Sequence, residues 1–419
     1  MERIVVKGGK RLSGEVSVGG SKHAALPILF GGIVTGERCV FSNLPRVSDV
    51  LRTLEILKCL GARICFLGNG DVRVDYSTVR PGRAPAELTG SIRGSTYLLG
   101  AMLARFGCAE LAAAGGCNFG SRPIDQHLMG FARLGAEVTE DEGGVRLSAP
   151  RGLRGCEIPL AMPSVGATAN LLLAASAAAG ESVIINAAAE PHVAALAAFL
   201  GDAGADISGI GSPTVRVIGK KTLRGISAAI IPDMIEAGTY LALGMACEGP
   251  VRVDRVCPSH LGAFLELLRQ MGGCVEVESN AITVSAPRGY SGIAVETGPF
   301  PQFPTDLHPQ MTALLSLGGR CVGEGSVTER VFASRFAYVD ELCRMGASIR
   351  VRGDTVLVAP AYLRATRLRS PDLRGGAALL IAALATAGQS EIVNAVTVGR
   401  GYEHLEEKLH ALGACVRVE

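Results

Sequence analysis

Hydrophobic and polar positions repeat along the chain about every 70 residues, and this repetition is the first guide to its fold. An amphipathic helix pattern that closes on a glycine occurs six times. The six glycines are Gly61, Gly135, Gly204, Gly272, Gly346 and Gly413. Because a glycine just after a helix is typical of its C-terminal cap, we expect six similar helices, each ending near one of these residues.

A second helix pattern alternates with the first and is apolar on nearly every side. We expect these six helices to stop at Gly36, Gly107, Gly180, Gly249, Gly323 and Gly388. A helix that is apolar all round must be enclosed by other elements, whereas an amphipathic helix can face water. Each repeated unit therefore contains one inner and one outer helix.

Strand patterns fill the rest of each unit. After each outer helix the sequence alternates apolar and polar residues and then turns, for example at Gly353-Asp354 and at residues 68–70. Such alternation around a short turn is typical of a β-hairpin. Six units exceed what one core accommodates. The predicted fold class is α/β, with two similar domains, each of three repeated βαβαββ-like units around buried helices.

Composition narrows the class of protein. The chain has 419 residues, 48% of them hydrophobic, and a formal net charge of +2 at pH 7. It lacks the basic excess on which non-specific nucleic-acid binding depends. Its apolar runs stop well short of the roughly 20 residues that a membrane span needs. We therefore expect neither a nucleic-acid partner nor a membrane partner.

The N-terminus and the cysteines indicate the compartment. The first residues do not combine a charged region with a long apolar stretch, so they do not resemble a signal peptide. The 12 cysteines are scattered without a CxxC pair, and the seven histidines form no HExxH motif. We expect a cytoplasmic protein with no metal and no cofactor.

Two glycine-rich stretches carry candidate chemistry. Lys22 follows Gly20-Ser21 before an apolar helix pattern, where backbone amides and the ammonium group can bind an anion. Cys117 lies in a glycine-rich loop five residues before Arg122, a setting that suits a reactive thiol. From the residues alone, Lys22 can instead be a solvated lysine at a helix start, and Cys117 can instead be an inert structural cysteine.

Asp306 and three arginines complete the candidates. Asp306 follows two prolines in a stiff turn and is either a helix cap or a positioned base. The arginines have no visible acidic pairing, and they are Arg93, Arg374 and Arg400. Since an Arg side chain offers a planar fork to carboxylate and phosphate, these residues together with Lys22 and Arg122 suit a multiply anionic ligand.

These motifs, in this order, resemble those of the UDP-N-acetylglucosamine 1-carboxyvinyltransferases, an enolpyruvyl transferase family, over essentially the full length of the chain. The segments that carry the resemblance lie at 20–29, 115–125, 164–168, 232–233, 303–306, 335–336 and 400–403. The resemblance implies an inside-out α/β barrel fold of the enolpyruvyl transferase type. It places residues 1–20 and 231–419 in a first domain, and residues 21–230, which include the Cys117 loop, in a second domain. It also implies that the active site lies in the cleft between the two domains.

The resemblance also implies an activity. The family transfers the enolpyruvyl group of phosphoenolpyruvate to the 3-hydroxyl of UDP-N-acetylglucosamine and releases phosphate. This reaction starts peptidoglycan precursor synthesis, and through it cell-wall biogenesis, cell shape and division, and it is the target of fosfomycin. We expect these two small molecules as partners and a monomeric protein, since closed domains of three units need no second chain.

By similarity, each candidate residue acquires a role. Cys117 is implied as the acid or covalent trap, and Asp306 as the base at the sugar hydroxyl. Lys22, Arg122 and Arg400 are implied to contact phosphoenolpyruvate, and Lys22 and Arg400 count with Cys117 and Asp306 as catalytic residues. Arg93 and Arg374 are implied to add positive charge at its phosphate and carboxylate. The residues implied to contact a substrate are Lys22, His23, Arg93, Arg122, Pro123, Ile124, Asp125, Gln126, Ser164, Val165, Gly166, Asp306, Val331, Arg374 and Arg400.

The chain departs from the family pattern at four of its positions. His23 stands where the family usually has Asn, Met162 where it has Lys, Met234 where it has Arg, and Gly399 where Asp is common. These departures leave open a non-catalytic paralogue that binds a nucleotide-sugar. The related shikimate 3-phosphate enolpyruvyl transferases are a further alternative, although the resemblance gives them no counterpart of the Cys117 loop.

Overall fold

The structure is a computed structural model that describes residues 2–112, 123–332 and 335–419. The described chain forms two compact units. Unit 1 contains residues 2–19, 232–332 and 335–419, and unit 2 contains residues 20–112 and 123–231. The chain therefore begins and ends in unit 1, and unit 2 is formed from one intervening stretch. The first strands, β1 (Arg3–Gly8) and β2 (Gly14–Ser17), belong to unit 1.

Unit 2 repeats an arrangement of inner helix, outer helix and strands three times. Its helices are α1 (Lys22–Thr35), α2 (Ser48–Cys59), a short α3 (Ala86–Thr89), α4 (Tyr97–Phe106), α5 (Asp125–Arg133), α6 (Val165–Ala175) and α7 (Pro191–Asp202). Its strands are β3 (Arg38–Ser42), β4 (Arg63–Phe66), β5 (Val72–Asp75), β6 (Cys108–Leu111), β7 (Glu137–Asp141), β8 (Gly144–Ser148), β9 (Glu157–Pro159), β10 (Glu181–Ile185), β11 (Asp206–Ser208), β12 (Thr214–Ile218) and β13 (Ser227–Ala229). Within residues 20–112 and 123–231, the sheets have the orders β13-β3-β5-β4, β6-β8-β7 and β11-β12-β10-β9.

Unit 1 repeats the arrangement. Its helices are α8 (Met234–Ala246), α9 (Gly262–Gln270), α10 (His308–Ser316), α11 (Ala337–Arg344), α12 (Leu373–Ala385) and α13 (Leu405–Ala411). Its further strands are β14 (Val251–Asp254), β15 (Cys274–Val277), β16 (Ala281–Ser285), β17 (Tyr290–Ser291), β18 (Ala294–Glu296), β19 (Cys321–Val322), β20 (Gly325–Thr328), β21 (Ser348–Arg352), β22 (Thr355–Ala359), β23 (Arg367–Arg369), β24 (Gly388–Val393) and β25 (Cys415–Val418). Its main sheets have the orders β15-β16-β14-β2, β18-β20-β22-β21 and β23-β24-β1-β25.

The inner helices form the centre of each unit, as their apolar pattern predicts. In unit 2, α4 packs on α6 and α1, and in unit 1, α12 packs on α10 and α8. Each unit has its own hydrophobic core. The predicted fold class is thereby confirmed. None of the helices in the described ranges is both long enough and apolar enough to cross a membrane.

The outer helices end as the glycine pattern predicts. Each of α2, α5, α7, α9, α11 and α13 stops two residues before its glycine, and all six glycines have positive φ. At the first of them, Gly61 N donates to Lys58 O and Ala62 N donates to Leu57 O, which is the hydrogen-bond pair of a Schellman motif. Because a residue with a side chain is strained at such φ values, glycine fixes this helix end locally.

The prediction for the inner helices is correct at two of the six ends. Gly36 and Gly107 cap α1 and α4 with positive φ. The other four inner helices stop between three and seven residues before their predicted glycine, as α10 does at Ser316 before Gly323. These helices are enclosed, and the packing around them rather than a glycine cap determines where they end.

Candidate active site

Lys22 is held at the start of α1 in unit 2. Gly20, two residues before Lys22, packs closely against the backbone of Asn43. A Cβ atom on Gly20 would lie 1.9 Å from Asn43 O, so only glycine fits there. The Lys22 Nζ atom donates to Asp49 Oδ2 over 3.1 Å, and the two side chains are 10% and 8% exposed. Asp49 lies in the first turn of α2. The ammonium group is thus fixed beside a helix N-terminus, where backbone N–H groups also attract anions.

His23, the next residue, lies beside a second imidazole. The ring centroids of His23 and His192 are 5.4 Å apart, with the planes at 47°. His192 is in the first turn of α7. Sequence reasoning did not identify His192, because no motif connects two positions so far apart in the chain.

Four predicted substrate residues line a pocket of about 360 Å³ in unit 2. They are Arg93, Pro123, Ile124 and Asp125. The Arg93 Nη2 atom donates to Pro123 O over 3.4 Å, and Asp125 begins α5. The β7–β8 hairpin contributes Glu140 to the pocket wall, which the sequence did not indicate. The pocket therefore combines an apolar wall with one cation and two carboxyl side chains.

Gln126 lies next to this group and contacts one of the departures from the family pattern. Its Oε1 atom accepts a hydrogen bond from Met162 N over 3.4 Å. A methionine side chain carries no charge, and because Met162 is 55% exposed it also packs little against its surroundings.

Ser164, Val165 and Gly166 form the N-terminus of α6. The Ser164 Oγ atom accepts from Ala167 N over 3.3 Å and caps the helix. A Cβ atom on Gly166 would lie 3.0 Å from the Nε2 atom of His127, so the glycine leaves room for that imidazole. The predicted nucleotide residues here thus surround a helix N-terminus and a histidine.

The hydrogen bonds of Asn170 identify the tautomer of His127. Gly100 N donates to Asn170 Oδ1, so the amide nitrogen of Asn170 is the group that lies 2.8 Å from His127 Nδ1. Since Nδ1 accepts this bond, the ring proton is on Nε2, the atom beside Gly166. Burial lowers the pKa of His127 to about 4. The side chain is therefore a neutral donor at neutral pH.

Asp306 in unit 1 bridges two arginines. It lies in a 3-10 turn, Thr305–Leu307, directly before α10. Its Oδ1 atom accepts from Arg335 Nη1 over 2.7 Å, and its Oδ2 atom accepts from Arg374 Nε over 2.9 Å. Both guanidinium groups are buried, while Asp306 is 20% exposed. Sequence reasoning selected Asp306 and Arg374 but left out the role of Arg335, which was noted only as part of a motif.

Arg374 is positioned by the N-terminus of α12. Asp372 caps this helix, and its Oδ1 atom accepts from Arg374 N and Gly375 N. Burial lowers the pKa of the guanidinium, and the Asp306 carboxylate raises it, with a net rise above its ordinary value. The Arg374 Nη1 atom is buried and has no hydrogen-bond partner among the described residues. This donor is available to an anionic ligand.

Arg400 and Val331 are the other predicted residues of unit 1. Arg400 ends a 3-10 turn, Ala395–Arg400, and Tyr402 follows it with its hydroxyl 2.8 Å from Thr239 Oγ1. The Arg374 guanidinium lies 5.9 Å from the centre of the Tyr402 ring. The Val331 N atom donates to the buried carboxylate of Glu329 over 2.7 Å. Cys117 and Arg122, the remaining predicted residues, lie outside the described residues.

No three His, Cys, Asp or Glu side chains are grouped as metal ligands in the part of the chain that the structure describes. The candidate residues described above provide cations, a carboxylate that bridges Arg335 and Arg374, and helix N-termini. Such a set suits ligands with several negative charges.

Comparison with known proteins identifies relatives over the whole length. Residues 6–409 match the family model of EPSP synthase (3-phosphoshikimate 1-carboxyvinyltransferase). UDP-N-acetylglucosamine 1-carboxyvinyltransferase 2 of Carboxydothermus hydrogenoformans is 41% identical over 417 residues, covering 99% of this chain and 98% of the relative. The UDP-N-acetylglucosamine 1-carboxyvinyltransferase of Halothermothrix orenii is also 41% identical, covering 100% and 99%.

Solved structures have the same fold. The enolpyruvyl transferase NikO from Streptomyces tendae superposes with a TM-score of 0.89 at 28% identity, covering 99% of this chain and 98% of that one. EPSP synthase from Acinetobacter baumannii gives a TM-score of 0.77 at 20% identity over both full chains. The chain belongs to the EPSP synthase family of enolpyruvyl transferases and, within it, to the UDP-N-acetylglucosamine 1-carboxyvinyltransferases, as its sequence motifs predicted.

Proposed function

We propose that this chain transfers the enolpyruvyl group of phosphoenolpyruvate to the 3-hydroxyl of UDP-N-acetylglucosamine and releases phosphate, as a step in peptidoglycan precursor synthesis. The observation that carries this proposal is 41% identity along the whole chain to relatives named for that reaction. The charges of the candidate residues agree with it, since both substrates are anionic.

Unit 2 has the features needed to bind the nucleotide-sugar. Its pocket of about 360 Å³ presents Arg93 beside apolar residues. The N-terminus of α6 and the Nε2–H group of His127 are donors suited to phosphate oxygens. We assign the diphosphate to these donors together with Ser164, Val165 and Gly166. Arg93 adds charge close to them.

Buried cations have the features needed to bind phosphoenolpyruvate. Lys22 and Arg374 are 8% and 2% exposed, and each has a carboxylate partner, Asp49 for Lys22 and Asp306 for Arg374. Arg374 already has Asp306, yet its Nη1 atom still lacks a partner. We assign the negatively charged groups of phosphoenolpyruvate to Arg374 and Arg400 of unit 1.

Asp306 is the proposed base. Arginine keeps its proton in proteins, so Asp306 alone in its trio with Arg335 and Arg374 accepts a proton. Each oxygen of a carboxylate has a second lone pair, and the side chain remains 20% exposed. The two guanidinium groups fix its orientation. A substrate hydroxyl that reaches the exposed edge can therefore transfer its proton there.

The bond changes then balance as follows. The O3–C2 bond forms while the hydroxyl proton passes to Asp306 and the C3 carbon of phosphoenolpyruvate takes a proton. The resemblance implies that Cys117 supplies that proton from its thiol. Breaking of the bond between C2 and the phosphate oxygen releases phosphate, which takes up the proton held by Asp306. Return of one C3 proton to the Cys117 thiolate restores the double bond and the thiol.

Two alternatives each have an observation in their favour. The family model carries the name of the enzyme that acts on shikimate 3-phosphate, although the relatives of highest identity described above are named for the nucleotide-sugar. A non-catalytic paralogue is favoured by His23, Met162 and Met234, which replace residues usual in the family.

The first experiment measures phosphate release from purified protein with phosphoenolpyruvate and either UDP-N-acetylglucosamine or shikimate 3-phosphate. Release only with the nucleotide-sugar supports the proposal, and release with shikimate 3-phosphate supports the first alternative. A Cys117→Ala variant tests the proposed thiol. Binding of the nucleotide-sugar without any release indicates the paralogue, and His23→Asn is then the variant to test.

We also propose that the protein acts as a monomer in the cytoplasm. The 11 cysteines within the described ranges are all free thiols, which suits a reducing compartment. Size-exclusion chromatography with light scattering tests the monomer, and a dimer at micromolar concentration contradicts it.

A further inference from the structure

The Glu329 carboxylate is the centre of a buried hydrogen-bond network in unit 1. The residue follows β20 and is 1% exposed. Its Oε1 atom accepts from Thr297 Oγ1 at 2.9 Å, Val331 N at 2.7 Å and Phe332 N at 3.0 Å. Its Oε2 atom accepts from Thr305 Oγ1 at 2.7 Å. Four donors therefore converge on one carboxyl group.

This carboxylate has no cationic partner in the part of the chain that the structure describes. Among the described residues no Lys or Arg forms an ion pair with it, and the Nδ1 atom of His308 lies 3.4 Å from Oε2 without hydrogen-bond geometry. Burial, followed by the charge of Arg335, lowers the pKa of His308 to about 3, so the imidazole is neutral. Burying a carboxyl group without a counter-ion is costly. In Glu329 the four hydrogen bonds, rather than a cation, offset that cost.

One side of the network leads to the proposed base. Thr305 donates its only hydroxyl proton to Glu329, so its oxygen is left to accept from Arg335 Nη1 at 2.9 Å. The same Arg335 nitrogen donates to Asp306 Oδ1 at 2.7 Å. Glu329 thereby fixes the direction of the Thr305 hydroxyl, which fixes Arg335, which orients Asp306.

The other side of the network leads to the turn that contains Val331. The N–H groups of Val331 and Phe332 both donate to Glu329 Oε1. Backbone N–H groups only donate, so this turn depends on an acceptor at that point. Val331 is one of the residues that the sequence resemblance assigns to the nucleotide.

We propose that Glu329 is a positioning residue that couples nucleotide binding at the Val331 turn to the orientation of Asp306. The inference rests on the proposed function for its substrates. It assigns Glu329 no contact with substrate. Its effect passes through Thr305 and Arg335 on one side and through the backbone of the Val331 turn on the other.

A Glu329→Gln variant separates the two sides. The remaining carbonyl oxygen can still accept from Val331 N and Phe332 N, whereas the new NH₂ group faces Thr305 and leaves the threonine proton without its acceptor. Because small displacements of a positioned group cost up to about 100-fold in rate, we expect kcat to fall roughly 10- to 100-fold. The KM for UDP-N-acetylglucosamine should change less than kcat.

Variants of two threonines provide matched controls. Thr305→Val removes the hydroxyl and should lower kcat as Glu329→Gln does, while Thr305→Ser keeps the hydroxyl and should restore most of the activity. Thr297→Val removes one donor to the same carboxylate and the acceptor of Arg330 N, but leaves the bonds from Glu329 to Thr305 and to Val331 N. Its kcat should stay within about threefold of wild type. Equal loss in all four variants, in proportion to their loss of thermal stability, would overturn the inference.

Hydrogen exchange tests the coupling without turnover. In the wild type, adding UDP should slow amide exchange at Val331–Phe332 and at the Thr305–Leu307 turn. In Glu329→Gln it should slow exchange only at Val331–Phe332. If UDP does not slow exchange at Thr305–Leu307 in the wild type, the coupling is refuted. It is also refuted if UDP still slows exchange there in Glu329→Gln. If the wild type releases no phosphate, the proposed function fails, and this measurement alone decides the inference.

Discussion

Replacing Arg374 by Met tests what the most deeply buried guanidinium of unit 1 contributes. The side chain is 2% exposed, donates from Nε to Asp306 over 2.9 Å, and has an Nη1 atom without a partner in the described chain. Losing a hydrogen bond to a charged group costs about 1.5–3 kcal/mol, and removing an unsatisfied buried donor recovers about 1–3 kcal/mol. The free energy of unfolding should therefore stay within about 2 kcal/mol of wild type.

The comparison variant is Asp306→Ala, which leaves the guanidinium groups of Arg335 and Arg374 buried without their shared carboxylate. Breaking a buried ion pair by removing one partner costs about 3–5 kcal/mol. In a unit of this size that corresponds to a decrease of roughly 6–20 °C in the melting temperature. Arg374→Met, in contrast, should melt close to wild type.

Differential scanning calorimetry measures both variants, and circular dichroism is a suitable second probe because the chain has no Trp. Phosphate release measured in parallel should fall at least about 100-fold in Arg374→Met, as when one donor to a transition-state anion is removed. If Arg374→Met melts as low as Asp306→Ala, or if it keeps its activity, the guanidinium serves stability rather than ligand binding and the reasoning is wrong.

Two further predictions concern unit 2. The pKa of His127 is about 4 in the folded protein and 6.5 for a free imidazole. Because the unfolded chain binds a proton more readily, the free energy of unfolding falls as the pH drops from 6.5 towards 4, by about 2 kcal/mol at pH 5 relative to neutral pH. Urea titrations at pH 7.5 and pH 5 should show a smaller difference in His127→Gln, and an equal difference would contradict this. Gly32→Ala would place a Cβ atom 2.2 Å from the ring of buried Tyr76, so it should destabilise by about 1–3 kcal/mol or more. Gly201 lies on α7, and no atom lies within 4 Å of a Cβ added there. Gly201→Ala should therefore raise the free energy of unfolding by about 0.5–1 kcal/mol. Equal urea midpoints for Gly32→Ala and Gly201→Ala would refute the steric argument.

The fold was predictable where local chemistry determines structure. The six outer helices end where glycine supplies a positive φ, and the hairpin turn at Gly353-Asp354 connects β21 to β22 as expected. The ends of the inner helices were less predictable, because the surrounding packing determines them. Gly323 lies seven residues beyond the end of α10 for that reason.

The candidate site was predictable in its residues but not in its contacts. The motifs selected Lys22, Asp306 and Arg374, and the structure places each of them beside a helix N-terminus. Their partners are distant in sequence, as Asp49 is from Lys22, and no local pattern connects such pairs. Glu329 was missed for the same reason, since an isolated glutamate after a strand has no signature until the donors around it are known.

The strand order of one sheet has a consequence for how the chain is made. Strand β1 lies between β24 and β25, pairing antiparallel with both. Along the chain, β1 precedes the whole of unit 2, whereas its two neighbours follow unit 2. During translation, unit 2 can complete its core while β1 remains an exposed apolar strand. Strand β1 is thus translated before unit 2 but paired only after it, and its apolar residues have no strand partner on the nascent chain during that whole interval.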